Sequence, residues 1–101
     1  MSREQLRYLG ENYEIVDPIY VEVAASRDVG GTIYWLTVVN LQNELVFGIG
    51  RTKSCAFQML RNELKSYYEA LMSSDLNKFY ESDQEVYFAD KRKLQRSIKH
   101  V

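Results

Sequence analysis

The segment TKSCAFQMLRNELKSYYEALMSS, residues 52–74, carries apolar side chains at helical spacing. A helix with such a stripe on one side normally buries that side against a sheet or another helix. The stripe consists of Ala56, Leu60, Leu64, Tyr67 and Leu71. Thr52 stands where an N-cap hydroxyl is favoured. The segment therefore predicts one long amphipathic helix beginning after Thr52.

Three strand-like segments precede this helix: IYVEVAAS, TIYWLTVVNL and LVFGIG. The second has aromatic and β-branched residues on both faces, and the third places Leu45, Phe47 and Ile49 on one face. The links between them are short, RDVGG and QNE. Consecutive strands with short links predict an antiparallel meander.

The two ends of the chain are predicted to add helices. SREQLRYLGEN predicts a short helix, because Ser2 can cap it, Leu6 and Leu9 share one side, and Gly10 can end it. At the C-terminus EVYFA has strand character, whereas ADKRKLQRSIKH is helix-like with Leu94 and Ile98 four residues apart. The predicted order is α-β-β-β-α followed by an extension, an α+β fold of two layers.

The stretch GIGRTKSCAFQML, between the third strand and the long helix, resembles the double-stranded-RNA-binding domain family. The residues in register with that family are Gly48, Gly50, Arg51, Thr52, Lys53 and Ala56. The resemblance covers roughly residues 3–71 and divides the chain into a domain at 1–72 and a C-terminal extension at 73–101. It implies a three-stranded antiparallel sheet packed on helices, and RNA phosphates bound at the start of the long helix.

This chain departs from the family where RNA is contacted. Ser54 and Phe57 occupy two of the family's three lysine positions, and only Lys53 matches. Fewer neutralised phosphates imply weaker RNA binding. The alternative role for Gly48 and Gly50 is steric, at a strand exit where a side chain would clash.

Charge and composition limit the function further. The net charge is −1, and the bases are concentrated in the second half of the chain. The single cysteine, Cys55, excludes an internal disulfide and is expected to be a buried structural thiol. No signal sequence or membrane span is recognisable, so the expectation is a soluble cytoplasmic protein that does not contact a membrane.

No nucleophile–base pair, metal cluster or cofactor loop is recognisable in the sequence. The expectation is a non-catalytic protein with no cofactor, metal or small-molecule substrate. Two binding functions remain, and they use different residues.

The favoured hypothesis is a protein-interaction module: an adaptor, an inhibitor or other regulator, or a homodimer. Its expected contact residues are aromatic. They are Phe57, Tyr67, Tyr68, Phe79 and Tyr80. Phe57, beside the helix start, is expected to be at least partly exposed unless the C-terminal extension or a partner protein covers it. Lost lysines and a surplus of aromatic rings favour this hypothesis.

The alternative is binding of structured or double-stranded RNA by the helix start and the basic tail. The residues expected to bind phosphate are Gly50, Arg51, Thr52, Lys53, Lys91, Arg92, Lys93 and Arg96. This hypothesis requires the tail to fold onto the side of Lys53, so that one continuous basic patch forms.

Overall fold

The computed structural model describes all 101 residues and shows an α+β fold in which two helices accompany an antiparallel sheet. The elements in chain order are β1 (Ser2–Gly10), β2 (Tyr13–Arg27), β3 (Ile33–Asn40), β4 (Leu45–Gly50), α1 (Lys53–Ser73), a 3₁₀ turn (Leu76–Lys78), α2 (Glu81–Ser97) and β5 (Ile98–His100). The strands lie in the order β1-β2-β3-β4, and β5 pairs with the first residues of β2.

The N-terminal segment is a strand, and the prediction of a helix there was wrong. Leu6 and Leu9 are both buried, although residues three apart in a regular strand face opposite sides. The pairing of β1 with β2 shifts register between Leu6 and Tyr8 and again between Tyr8 and Gly10. These irregularities turn both leucines to the core and imitate helical spacing.

The element order is therefore β-β-β-β-α-α-β, and the expected α-β-β-β-α order with three strands is not found. The segment EVYFA lies inside α2, so its strand character does not determine its structure. Only the coarser prediction, an α+β fold with an antiparallel sheet, is confirmed.

Helix α1 covers one face of the sheet, as the apolar stripe predicts. Ala56, Leu60, Leu64 and Leu71 are buried. Thr52 caps the helix, because its hydroxyl accepts a hydrogen bond of 3.1 Å from the Cys55 amide. The helix and the sheet thus enclose a single core.

Gly48 lies where α1 approaches β4 most closely. A Cβ at this position would stand 2.1 Å from the Ala56 carbonyl oxygen and 2.6 Å from the Leu60 nitrogen. Thr37 of β3 lies opposite Gly48, and its hydroxyl donates to the Ala56 carbonyl oxygen at 3.3 Å. Gly48 therefore has a steric role in this fold.

The C-terminal segment packs on the same core through Leu94 and Ile98, both almost fully buried. Helix α2 also places Asp90, 1% exposed, beneath the β3–β4 turn. Its carboxylate accepts hydrogen bonds from the amides of Gln42 (2.8 Å) and Asn43 (2.9 Å). The extension therefore fixes the turn that precedes β4.

Tyr67 of α1 completes this buried polar cluster. Its hydroxyl donates to Asp90 at 2.7 Å. Burial, and then the hydrogen bond to Asp90, raise the pKa of the Tyr67 hydroxyl above its ordinary value. Asp90 thus joins the turn, α1 and α2.

Candidate functional site

One face of the sheet has no helix over it. In β3, Thr37 and Val39 point to the buried side under α1, so the alternate residues Leu36 and Val38 point to the other side. The strand register extends this uncovered side, called here the open face, across β2, β3 and β4. Its uncharged members of apolar character are Tyr20, Ala24, Tyr34, Leu36, Val38, Leu45, Phe47 and Ile49.

The open face is most apolar at β3 and β4. Leu45, Phe47 and Ile49 are 52%, 45% and 45% exposed, which is high for large apolar side chains that all lie on one strand face. Together with Tyr20 they expose about 400 Å² if each side chain has about 200 Å² in total. The largest apolar patch on an ordinary monomer is about 300–600 Å², and such patches are often functional.

The side of the open face toward β1 is polar. Arg3 and Glu22 pair across β1 and β2, and the Arg3 guanidinium lies 4.5 Å from the centre of the Tyr20 ring. An apolar centre with a charged border is the usual anatomy of a protein interface.

Two side chains of the predicted phosphate-binding turn, those of Lys53 and Thr52, are engaged by other groups of the protein. The Lys53 ammonium forms an ion pair with Glu4 of β1 and lies 5.7 Å from the centre of the Trp35 ring. Thr52 is engaged as the helix cap, and Arg51 is exposed. Pairing with Glu4 lowers the positive charge that Lys53 can offer to a phosphate.

The C-terminal bases form a separate cluster. Arg92, Lys93 and Arg96 line a depression of about 660 Å³ beside the β3–β4 turn, and Lys91 is half-buried on the same helix. The depression contacts Asn40, at the opposite end of β3 from Trp35. Asn40 and Trp35 are about 17 Å apart along β3. Because Lys53 lies beside Trp35, the basic residues of the tail do not join it in one continuous patch.

The predicted aromatic contact residues divide into buried and exposed rings. Phe57 and Tyr68 are each only 8% exposed, so Phe57 is covered within the chain and is not a free contact surface. Phe57 lies beside Glu4 and Gln5 of β1, the strand that sequence analysis missed. Tyr67 is half-buried against Asp90.

The remaining two aromatic residues lie near the start of α2. Phe79 is 41% exposed and stacks on Tyr87 with ring centres 5.0 Å apart, while Tyr80 is 83% exposed. Cys55, expected to be buried, is exposed. None of these residues belongs to the open face.

Sequence analysis did not identify the open face as a candidate surface, although TIYWLTVVNL contains its signal. Large apolar side chains on both faces of a strand indicate that both faces are covered, by the protein or by a partner. Only one helical layer was predicted, so one of the two faces had no partner within the chain.

Comparisons with protein-family models, curated proteins and solved structures gave no match. Neither helix is both long and apolar enough to cross a lipid bilayer. Functional inference for this chain therefore rests on its own geometry.

Proposed function

We propose that this protein is a non-catalytic protein-interaction module whose contact surface is the open face. The observation that carries the proposal is the row of half-exposed apolar side chains on β4, beside the less exposed Leu36 and Val38 of β3, with a charged border at β1. Covering such a patch removes apolar surface from water and gains about 25 cal/mol per Å² before the costs of association. A partner protein with a complementary apolar surface would supply that cover.

Affinity capture with two matched variants tests the proposal. Leu36→Lys places a charge in the middle of the open face, where the long Lys stem can still reach solvent. Val29→Lys makes a similar change in the turn between β2 and β3, where Val29 is fully exposed. Both variants are first compared with the wild type by circular dichroism and thermal unfolding.

We expect proteins captured by the wild type to be retained by Val29→Lys and lost with Leu36→Lys. A Lys at the centre of a desolvated interface normally costs more than tenfold in affinity. Identical capture by all three proteins would contradict the proposal, because the open face would then take no part in binding.

RNA binding is the second candidate function, favoured by the convergence of Arg92, Lys93 and Arg96 on one depression. It is tested by titrating a fluorescent RNA duplex of about two helical turns at low and moderate salt. If the interaction module is the correct function, no binding tighter than the micromolar range is expected. Salt-sensitive binding that is lost in the double variant Arg92→Ala/Lys93→Ala would favour RNA instead.

A further inference from the structure

The two outer strands of the sheet differ in how their free edges are protected. Strand β1 carries Arg3, Glu4 and Arg7 and shifts register twice against β2. Charges and bulges are the usual means by which a sheet edge is kept from pairing with another chain. Strand β4, LVFGIG, has neither: its register with β3 is continuous, and it contains no charged residue and no proline.

The free edge of β4 also has main-chain groups without good partners. The Ile49 N–H points away from β3 and donates to the Met59 sulfur at 3.4 Å. A thioether is a weak acceptor on a flexible side chain. Alternate residues of a strand point their main-chain groups to the same edge, so those of Leu45 and Phe47 point outward too. No other strand pairs with this edge.

We propose that β4 pairs antiparallel with β4 of a second copy of this chain, across a two-fold axis at Phe47. The axis is perpendicular to the sheet, so the open faces of the two copies become continuous. Phe47 then lies opposite its own copy, and Leu45 lies opposite Ile49 of the second copy. This register uses the outward groups of all three residues and forms six main-chain hydrogen bonds.

Centring the axis on Gly48 would also keep matching faces together. Within β4, that register pairs only Phe47 with Ile49 and leaves the outward groups of Leu45 without a strand partner. The Phe47 register is therefore favoured. Met59 covers Ile49 in the single chain and is displaced when the second strand binds.

The charges at the two ends of β4 are complementary in this arrangement. Glu44 precedes the strand and lines a small cavity together with Glu63 and Met59, whereas Arg51 follows the strand. The two-fold axis brings the acidic start of one β4 next to Arg51 of the other copy, at both ends of the junction. Parallel pairing would place like charges together instead. A second copy therefore fits the edge in one direction only.

This inference deepens the proposed function by naming one partner, and it rests on that function for the use of apolar surface on β4. Its test is the mass of the wild-type protein by sedimentation velocity over a range of concentrations. We expect a reversible dimer with twice the 11.9 kDa mass of the chain.

Charge reversal tests the register. Glu44→Arg alone and Arg51→Glu alone each place like charges at both ends of the junction and should raise the dissociation constant about tenfold. An equimolar mixture of these two variants should form a heterodimer of about wild-type affinity, because every end contact is again between opposite charges. Glu11→Arg, in the exposed turn between β1 and β2, is the matched control and should change nothing.

A wild type that stays monomeric to about 100 µM, or a dimer indifferent to both reversals and to their mixing, would overturn the inference. The capture experiment distinguishes a failure of this inference from a failure of the proposed function. A monomer that still loses its captured protein with Leu36→Lys refutes only the pairing of β4. Conversely, a dimer whose capture is insensitive to Leu36→Lys refutes only the use of the open face for other proteins.

Discussion

Replacing Gly48 by alanine distinguishes a packing glycine from a phosphate-binding one. The added Cβ would lie 2.1 Å from the Ala56 carbonyl oxygen and 2.6 Å from the Leu60 nitrogen. Ordinary carbon–oxygen contact needs about 3.4 Å, so α1 has to retreat by roughly an ångström. Backbone atoms form both contacts, which excludes relief by a side-chain rotation.

The loss of stability follows from the core residues that α1 contributes. Ala56, Leu60 and Leu64 are fully buried on this helix, so its displacement loosens the whole core. Overpacking a well-packed core costs about 1–3 kcal/mol, and a clash with backbone belongs at the upper end, about 3 kcal/mol. For a domain of this size that corresponds to a fall of about 15 °C in Tm.

The assay is urea unfolding followed by circular dichroism, with Gly30→Ala as the control. A Cβ at Gly30 meets only the Asp28 side chain, at 3.4 Å, an ordinary contact. Gly30→Ala should stay within about 0.5 kcal/mol of the wild type. Wild-type stability in Gly48→Ala would refute the packing argument and return the Gly-x-Gly turn to consideration as a ligand site.

Three further substitutions test the α1 cap and the hydrogen bonds around Asp90 by the same unfolding measurement. Thr52→Ala removes the α1 cap and should cost about 1 kcal/mol; no loss would mean that the hydroxyl is not needed. Asp90→Ala leaves two turn amides and the Tyr67 hydroxyl without their acceptor and should cost about 3 kcal/mol, whereas a loss below about 1 kcal/mol would mean that water replaces the carboxylate. Because the pKa of the Tyr67 hydroxyl is raised in the folded protein, this group contributes stability that is complete below about pH 10 and is lost as the pH rises further. The free energy of unfolding should therefore fall more steeply above about pH 10 for the wild type than for Tyr67→Phe. Parallel pH profiles of the two proteins would contradict this.

The long helix and the strands β3 and β4 could be predicted because their signals are local. The stripe from Ala56 to Leu71 has helical period over several turns, and Thr52 supplies a cap. Likewise, Gly-rich and polar links delimit β3 and β4 in the sequence. Local propensity and tertiary packing agree in these segments.

The N-terminal strand could not be predicted for a physical reason. Leu6 and Leu9 acquire helix-like spacing from irregular pairing with β2, and that pairing is a long-range interaction invisible to a local pattern. The absence of β1 from the predicted fold also affects the predicted surroundings of Phe57 and Lys53. Without β1 the sheet is narrower, and Phe57 would have nothing to pack against. The same missing strand explains why Glu4 was not recognised as the partner of Lys53.

The open face could not be predicted from local sequence pattern, because its exposure depends on the tertiary structure. Leu36 and Val38 could be assigned to a strand, but which side α1 would cover depends on the whole fold. Sequence pattern indicates two apolar faces. Only the structure shows that the chain supplies cover for one of them.

Site-specific photo-cross-linking in the cells that make the protein tests the central claim most directly. A benzophenone amino acid is placed either at Tyr34, on the open face, or at Tyr80, which is 83% exposed but lies at the start of α2. The account predicts covalent adducts from position 34 that proteases degrade and nucleases do not, and none from position 80. Adducts from position 80 alone, or nuclease-sensitive adducts from position 34, would contradict it.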